Sequence, residues 1–117
     1  MEQEIRELLD EKIALMTQGK MVEATEQFFA ETAETIDFTG VVTRTRQEMV
    51  DKMKGFLGSV SKVNGLTVQN SAVEGDISFL EFTVDLDMAD GSKVFWHEVI
   101  RSVWKDRRII QEQFFKA

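Results

Sequence analysis

The chain has 117 residues, a formal net charge of −7, no cysteine and a single histidine, His97. That length suits one domain, residues 1–117, which buries roughly two-thirds of its unfolded surface without disulfide or metal staples. Disulfides, thiolate metal sites, a cysteine nucleophile and a multi-histidine metal centre are excluded, and the acidic balance disfavours nucleic acid and anionic membranes. No apolar run approaches the ~20 residues that span a bilayer. The opening Met1-Glu2-Gln3-Glu4 is polar and unlike a signal peptide, so a cytoplasmic protein is expected. Nine phenylalanines and two tryptophans stand beside no tyrosine and no proline, which makes the aromatic surface nearly all hydrocarbon and suits a core or an apolar pocket.

Ile5, Leu8, Leu9, Ile13 and Met16 recur at helical spacing up to Gly19, which predicts a first helix. Met21, Val22, Ala24, Thr25, Phe28 and Phe29 form the apolar stripe of a second, shorter one. The stretch Glu34 to Thr39 switches to period two and reads as a short strand ending at Gly40. Thr45 followed by Glu48 has the capping-box pattern and opens a third helix through Met49, Val50, Met53, Phe56 and Leu57 to Gly58. From Leu66 onward the chain reads as strands: Leu66–Val73, Ile77–Met88, Lys93–Trp104 and Ile109–Phe115, with turns at Gly75-Asp76, Asp90-Gly91 and Asp106-Arg107. Helices followed by a strand meander make an α+β order, with the helices packed into the concave face of a curved antiparallel sheet.

Two-residue turns at Asp90-Gly91 and Asp106-Arg107 set a register. Phe82 then faces Val99, Val84 faces His97, Arg101 faces Glu112, and Val99 faces Phe114. This puts Leu80, Phe82, Val84, Leu86, Phe95, Val99, Val103, Ile110 and Phe114 on the helix-covered face, with His97, Arg101 and Glu112 embedded among them. Trp96, Ile100 and Trp104 fall on the opposite, outer face, where exposed aromatics read as a homodimer surface. A slip of one residue would turn every one of these side chains over.

The element order resembles the nuclear transport factor 2-like superfamily, which includes the ketosteroid isomerases and SnoaL-like polyketide cyclases. The stretch Phe28 to Gly40 is similar to the isomerase pattern of an apolar helix end, an acidic turn and a strand carrying an Asp three residues before Gly. The hairpin Val99 to Phe115 is similar to the last two strands of those proteins. The resemblance implies a cone, a cystatin-like curved sheet wrapped around helices with an apolar cavity at its open end, and dimerisation through the outer sheet face. It implies a general base at Asp37 and an oxyanion donor at His97. The isomerases' tyrosine donor falls near Ile13, and this chain has no tyrosine.

The residues allow two uses of such a pocket. A carboxylate facing an apolar cavity becomes a better base, and an imidazole opposite can donate to a developing oxyanion, so Asp37 and His97 together suit a proton shift beside a carbonyl without cofactor or metal. Arg101 suits a ligand carboxylate, while Glu112, Phe82, Val99, Phe114 and Phe28 complete the pocket. Equally, Asp37 can anchor the following loop, His97 can be a satisfied core residue, and Arg101 with Glu112 can be a structural ion pair. The first set describes a small isomerase, cyclase or dehydratase. The second describes a non-catalytic cone that holds a small apolar ligand or serves as an interaction module.

Overall fold

The structure, a computed structural model, describes residues 1–117. Helix α1 (Glu2–Thr17) buries Ile5, Leu8, Leu9 and Met16 on one stripe, and Lys12 falls on the same stripe. It ends in a Schellman motif: Gly19 adopts φ +79°, its N–H donates to Met16, and the N–H of Lys20 donates to Leu15. Helix α2 (Met21–Phe28) stops one residue earlier than its apolar stripe predicts, because Phe29 already begins strand β1 (Phe29–Ile36). A short β2 (Val42–Arg44) follows, then α3 (Arg46–Leu57), whose first turn is capped by the Thr45 hydroxyl accepting from the Glu48 N–H. Strands β3 (Val60–Glu74), β4 (Ile77–Met88), β5 (Lys93–Lys105) and β6 (Arg108–Lys116) complete the chain. No helix is long and apolar enough to cross a membrane.

The six strands form one curved sheet in the order β2-β1-β6-β5-β4-β3. It is mixed rather than wholly antiparallel, because β1 pairs parallel with β6. Helix α1 lies against β3, α3 against β1 and β2, and α2 bridges the two helices. The core between helices and concave face is made by Leu9, Phe28, Leu80, Ile100, Trp104, Ile109 and their neighbours.

The register of the last three strands differs from the expected one, and the cause is local. The β4–β5 hairpin turns over three residues, Ala89-Asp90-Gly91, with Gly91 at φ +90° and the Asp90 carboxylate accepting from Ser92. A single left-handed residue in third place is the signature of a type I turn closed by a glycine bulge, whereas a two-residue turn of the predicted kind needs φ above zero at Asp90 as well. Phe82 therefore pairs with Glu98 and Val84 with Trp96. The β5–β6 turn is the expected two-residue one, with Asp106 at φ +51° and Arg107 at +68°. A bulge between Val103 and Trp104 then leaves Ile110 unpaired and sets Ser102 against Glu112.

The side of β5 that faces the helices is consequently Val94, Trp96, Glu98, Ile100, Ser102 and Trp104. Phe95, His97, Val99, Arg101 and Val103 face outward, and Phe95 is 66% exposed. Glu112 and Phe114 still point inward, because the bulge shifts β6 by the same one residue as the longer turn.

Candidate functional site

The pair expected from sequence is not assembled. Asp37 sits in the β1–β2 loop, exposed, with its Oδ1 accepting from the Thr39 hydroxyl at 2.6 Å, the Thr39 N–H at 2.8 Å and the Val41 N–H at 3.0 Å. The Thr39 hydroxyl and these backbone donors hold its carboxyl below the ordinary value. A general base working near neutral pH needs the opposite shift. His97 lies on the outer sheet face, its Nε2 2.7 Å from Glu81 Oε2, while Asn70 donates to Glu81 Oε1 at 2.8 Å. Those two donors, Asn70 first, hold the Glu81 carboxyl below its usual range. Arg101 faces outward between Phe79 and Gln113 and does not meet Glu112, and Val99 is also on the outer side. Of the expected pocket residues, Phe28, Phe82, Phe114 and Glu112 lie inside the cone.

Lys12 of α1 takes the place expected for Arg101. Its Nζ donates to Glu112 Oε2 at 3.2 Å, and the Ser102 hydroxyl donates to the same oxygen at 3.0 Å. Both charged side chains are 5% exposed, and the ammonium lies 5.9 Å from the centre of the Phe29 ring. Every fully buried side-chain nitrogen or oxygen in the molecule has a hydrogen-bond partner, so this deep polar pair is satisfied within the fold. It is a closed structural pair rather than a ligand clamp.

Two hollows flank the cone. One, of about 520 Å³, lies at the end where α1 begins and the β5–β6 turn closes, among Glu4, Asp76, Asp106 and Arg107. Its charged groups are partly spent on one another, since Arg107 is paired with Glu4. The other, of about 360 Å³, lies at the opposite end, bounded by Ile36, Asp37, Phe38, Gly40, Phe114 and Lys116. Its walls are the end of β1, the β1–β2 loop and the end of β6, with no residue of β5 among them; this end of the curved sheet is the mouth of the cone.

Glu98 is on the concave face, with Phe82 and Lys116 as its neighbours across the sheet, and Lys116 borders the smaller hollow. It is 5% exposed, yet no hydrogen bond or ion pair within the chain engages its carboxylate. Since no fully buried side-chain oxygen in the molecule lacks a partner, the Glu98 oxygens are not fully sealed from solvent. Burial pushes the Glu98 carboxyl up from its ordinary value; Lys116 pulls it partly back, and Asp37 pushes it further up. Folding raises this group, so its ionisation costs stability as pH climbs above 4.5, and the cost is complete once pH passes the folded value. The Lys116 ammonium rests over the Phe38 ring, 4.8 Å from its centre, instead of pairing with Glu98. Phe56 from α3 stacks on Trp96 at 5.5 Å, one inward position nearer the start of β5 than Glu98.

Sequence reasoning missed Glu98 and Lys12 for different reasons. Glu98 changes side with the one-residue register shift, and the signal lay in the loop: Ala89-Asp90-Gly91 fits a three-residue turn with glycine last as well as it fits a two-residue one. Lys12 was legible by position, four residues after Leu8 and three after Leu9 on the buried stripe, but its charge reads by default as surface.

The sequence matches no family model and no curated protein. Solved structures do match. A protein of the SnoaL-like polyketide cyclase type from Mesorhizobium loti superposes with a TM-score of 0.85 at 23% identity, covering 95% of this chain and 97% of the other. A protein of unknown function with the nuclear transport factor 2-like fold, from Burkholderia pseudomallei, gives 0.80 at 9% identity over 100% and 92% of the two chains. A protein with the ketosteroid isomerase-like fold from Catenulispora acidiphila, solved with trimethylamine, gives 0.78 at 15% identity over 95% and 85%. At these identities the likeness is one of fold alone.

Proposed function

We propose that this chain, which has the nuclear transport factor 2-like fold, binds a small and largely apolar molecule at the mouth of its cone, where Glu98 receives the ligand's polar group. One observation carries the reading: Glu98, a residue only 5% exposed on the concave face, keeps a carboxylate that no hydrogen bond or ion pair in its own chain engages, its oxygens not fully sealed from solvent. Holding a carboxylate among apolar neighbours with no partner is costly, so proteins seldom keep one that serves only the fold. Phe38 and Phe114 line the neighbouring hollow and supply apolar surface without a tyrosine hydroxyl to compete for the ligand. Binding rather than proton transfer is the better-supported activity, because Asp37 is tied to its own loop and His97 lies on the outer face. A fold shared by solved structures of several kinds supplies no chemistry by itself.

The two tryptophans provide the test. Trp96 is half-buried, two residues before Glu98 on the same side of β5, whereas Trp104 is 3% exposed in the core. Titration with a neutral aromatic probe such as naphthol, followed by NMR, is expected to move the Trp96 indole N–H resonance and leave that of Trp104 in place. Equal movement of both, or of neither, would count against a ligand site at the mouth.

A second reading, as an interaction module, draws on the outer sheet face. The residues expected to carry a dimer there are placed otherwise: Trp104 and Ile100 are core residues at 3% and 2% exposure, and Trp96 is on the inward side, stacked on Phe56. The outer face instead presents Phe79, Phe95 and Phe115, with Val99 and Val103 between them. A second copy of the chain meeting this face is our proposal for what covers it. Sedimentation equilibrium at micromolar concentration is expected to report a dimer, and Phe79→Asp a folded monomer. A wild-type chain that sediments as a monomer removes the proposal.

A further inference from the structure

We infer that the second half of α3, residues 53–57, is a flap that opens while the first half stays seated, and that a ligand enters by displacing its latch, the Phe56 ring on Trp96. The two halves of this helix are held very differently. The first half buries Met49 and Val50. Three polar ties also fix it: the Thr45 hydroxyl accepts from the Glu48 N–H, the Arg46 guanidinium donates to the Phe29 carbonyl at 3.1 Å, and the Lys52 ammonium donates to the Thr43 hydroxyl at 2.8 Å. Beyond Lys52 no residue of the helix is buried: Met53, Phe56 and Leu57 are half-buried, and Lys54 and Gly55 are exposed. The only hydrogen bond to a side chain of this half is a long one, from the Thr25 hydroxyl to the Met53 sulfur at 3.6 Å.

What remains is one ring contact, Phe56 stacked on Trp96 with centres 5.5 Å apart and planes 28° from parallel. Gly55, immediately before the latch, weakens the helix, because glycine gives up the most backbone freedom on becoming helical. Past Gly58 the chain is fixed again, the Ala89 N–H donating to the Ser59 carbonyl at 2.7 Å. Opening therefore unwinds the last turns between two fixed points and leaves the rest of the helix in place. Beneath the flap, the inward side of β5 carries Val94 and Trp96, both half-buried, whereas Ile100 and Trp104 farther along are core. Lifting Phe56 frees a Trp96 ring face at the inward position next to Glu98. The entry route rests on the ligand-binding reading above; the opening itself does not.

Amide hydrogen exchange by NMR, without ligand, tests the opening. The amides of Leu57 and Gly58 are expected to be protected at least about tenfold less than those of residues 50–52. Phe56→Ala is expected to lower protection at Leu57 and Gly58 by about a further fivefold, the size of one ring stack, and to leave residues 50–52 unchanged. Gly55→Ala, whose added methyl meets nothing within 4 Å, is expected to raise protection there by about fivefold. Thermal melting checks that both variants fold. Equal protection along the whole helix, or variants that shift residues 50–52 as much as Leu57 and Gly58, overturns the flap. Naphthol then tests the entry: its affinity should rise in Phe56→Ala and fall in Gly55→Ala by the same factors as the opening. An affinity that does not follow the opening overturns the entry route and leaves the flap standing. If naphthol binds none of the three proteins, the ligand-binding reading fails with the entry route, and exchange alone decides the flap.

Discussion

Lys12→Met is expected to destabilise the chain by about 3–5 kcal/mol, the usual cost of removing one partner from a buried ion pair. Methionine nearly fills the lysine's volume, so the loss comes from charge rather than from a cavity. Glu112 would keep the Ser102 hydroxyl but lose its only cation, at 5% exposure and beneath α1. Pairing the change with Glu112→Leu is expected to recover most of the stability, because a well-packed apolar pair of similar volume often equals or exceeds a buried ion pair. Urea denaturation of the two single variants and the double variant measures this coupling directly. A single-variant loss below about 1 kcal/mol would mean that water or backbone already compensates Glu112, and the closed-pair description would be wrong. The pair ties α1 to β5 and β6, far along the sequence from it, and so fixes how the helix seats on the sheet.

The second large effect concerns Trp104. Trp104→Ala is expected to cost about 3–5 kcal/mol, typical of removing a large buried aromatic. The indole contacts Phe28 edge to face, with ring centres 6.4 Å apart, and its Nε1 donates to the Ser78 hydroxyl at 2.9 Å. Alanine there opens a cavity and leaves the Ser78 hydroxyl unpaired at 1% residue exposure. Phe95→Ala, on the outer side and 66% exposed, is the matched control and should change monomer stability by less than about 0.5 kcal/mol. The comparison also tests the register itself. With two-residue turns throughout and no bulge, Phe95 would be in the core and Trp104 outside, and the two losses would exchange places.

Much of the fold was legible because its signals are local. The stripe Ile5, Leu8, Leu9, Met16 and the Thr45–Glu48 cap mark α1 and the start of α3. The strict alternation of β4 puts Leu80, Phe82, Val84 and Leu86 on one side, and all four are buried as expected. Strand β2 was not legible, because three residues are too few to display a period. The opening stretch of β3 was missed as well: Val60 to Gly65 is mostly polar and glycine-bearing, and it becomes strand through its partner β4 rather than through its own composition. The parallel pairing of β1 with β6 joins the two ends of the chain, and no local signal encodes it.

The candidate site shows where local information stops. On β5 both alternating sets are apolar enough to be buried: Val94, Trp96, Ile100 and Trp104 on one side, Phe95, Val99 and Val103 on the other. Alternation says which residues share a side, but it does not say which side is inside when both qualify. By itself the sequence determined the element types, most of their order, the residues that share each strand face, and a chemistry without thiol or tyrosine. The tertiary structure alone decided the inward side of β5, through one extra turn residue before Ser92 and one bulge at Ile110. That choice moved His97 and Arg101 outward and Glu98 inward. The physical reason is that a strand's period is two, so a single residue of turn geometry inverts every side chain beyond it, and only packing against the helices selects between the two results.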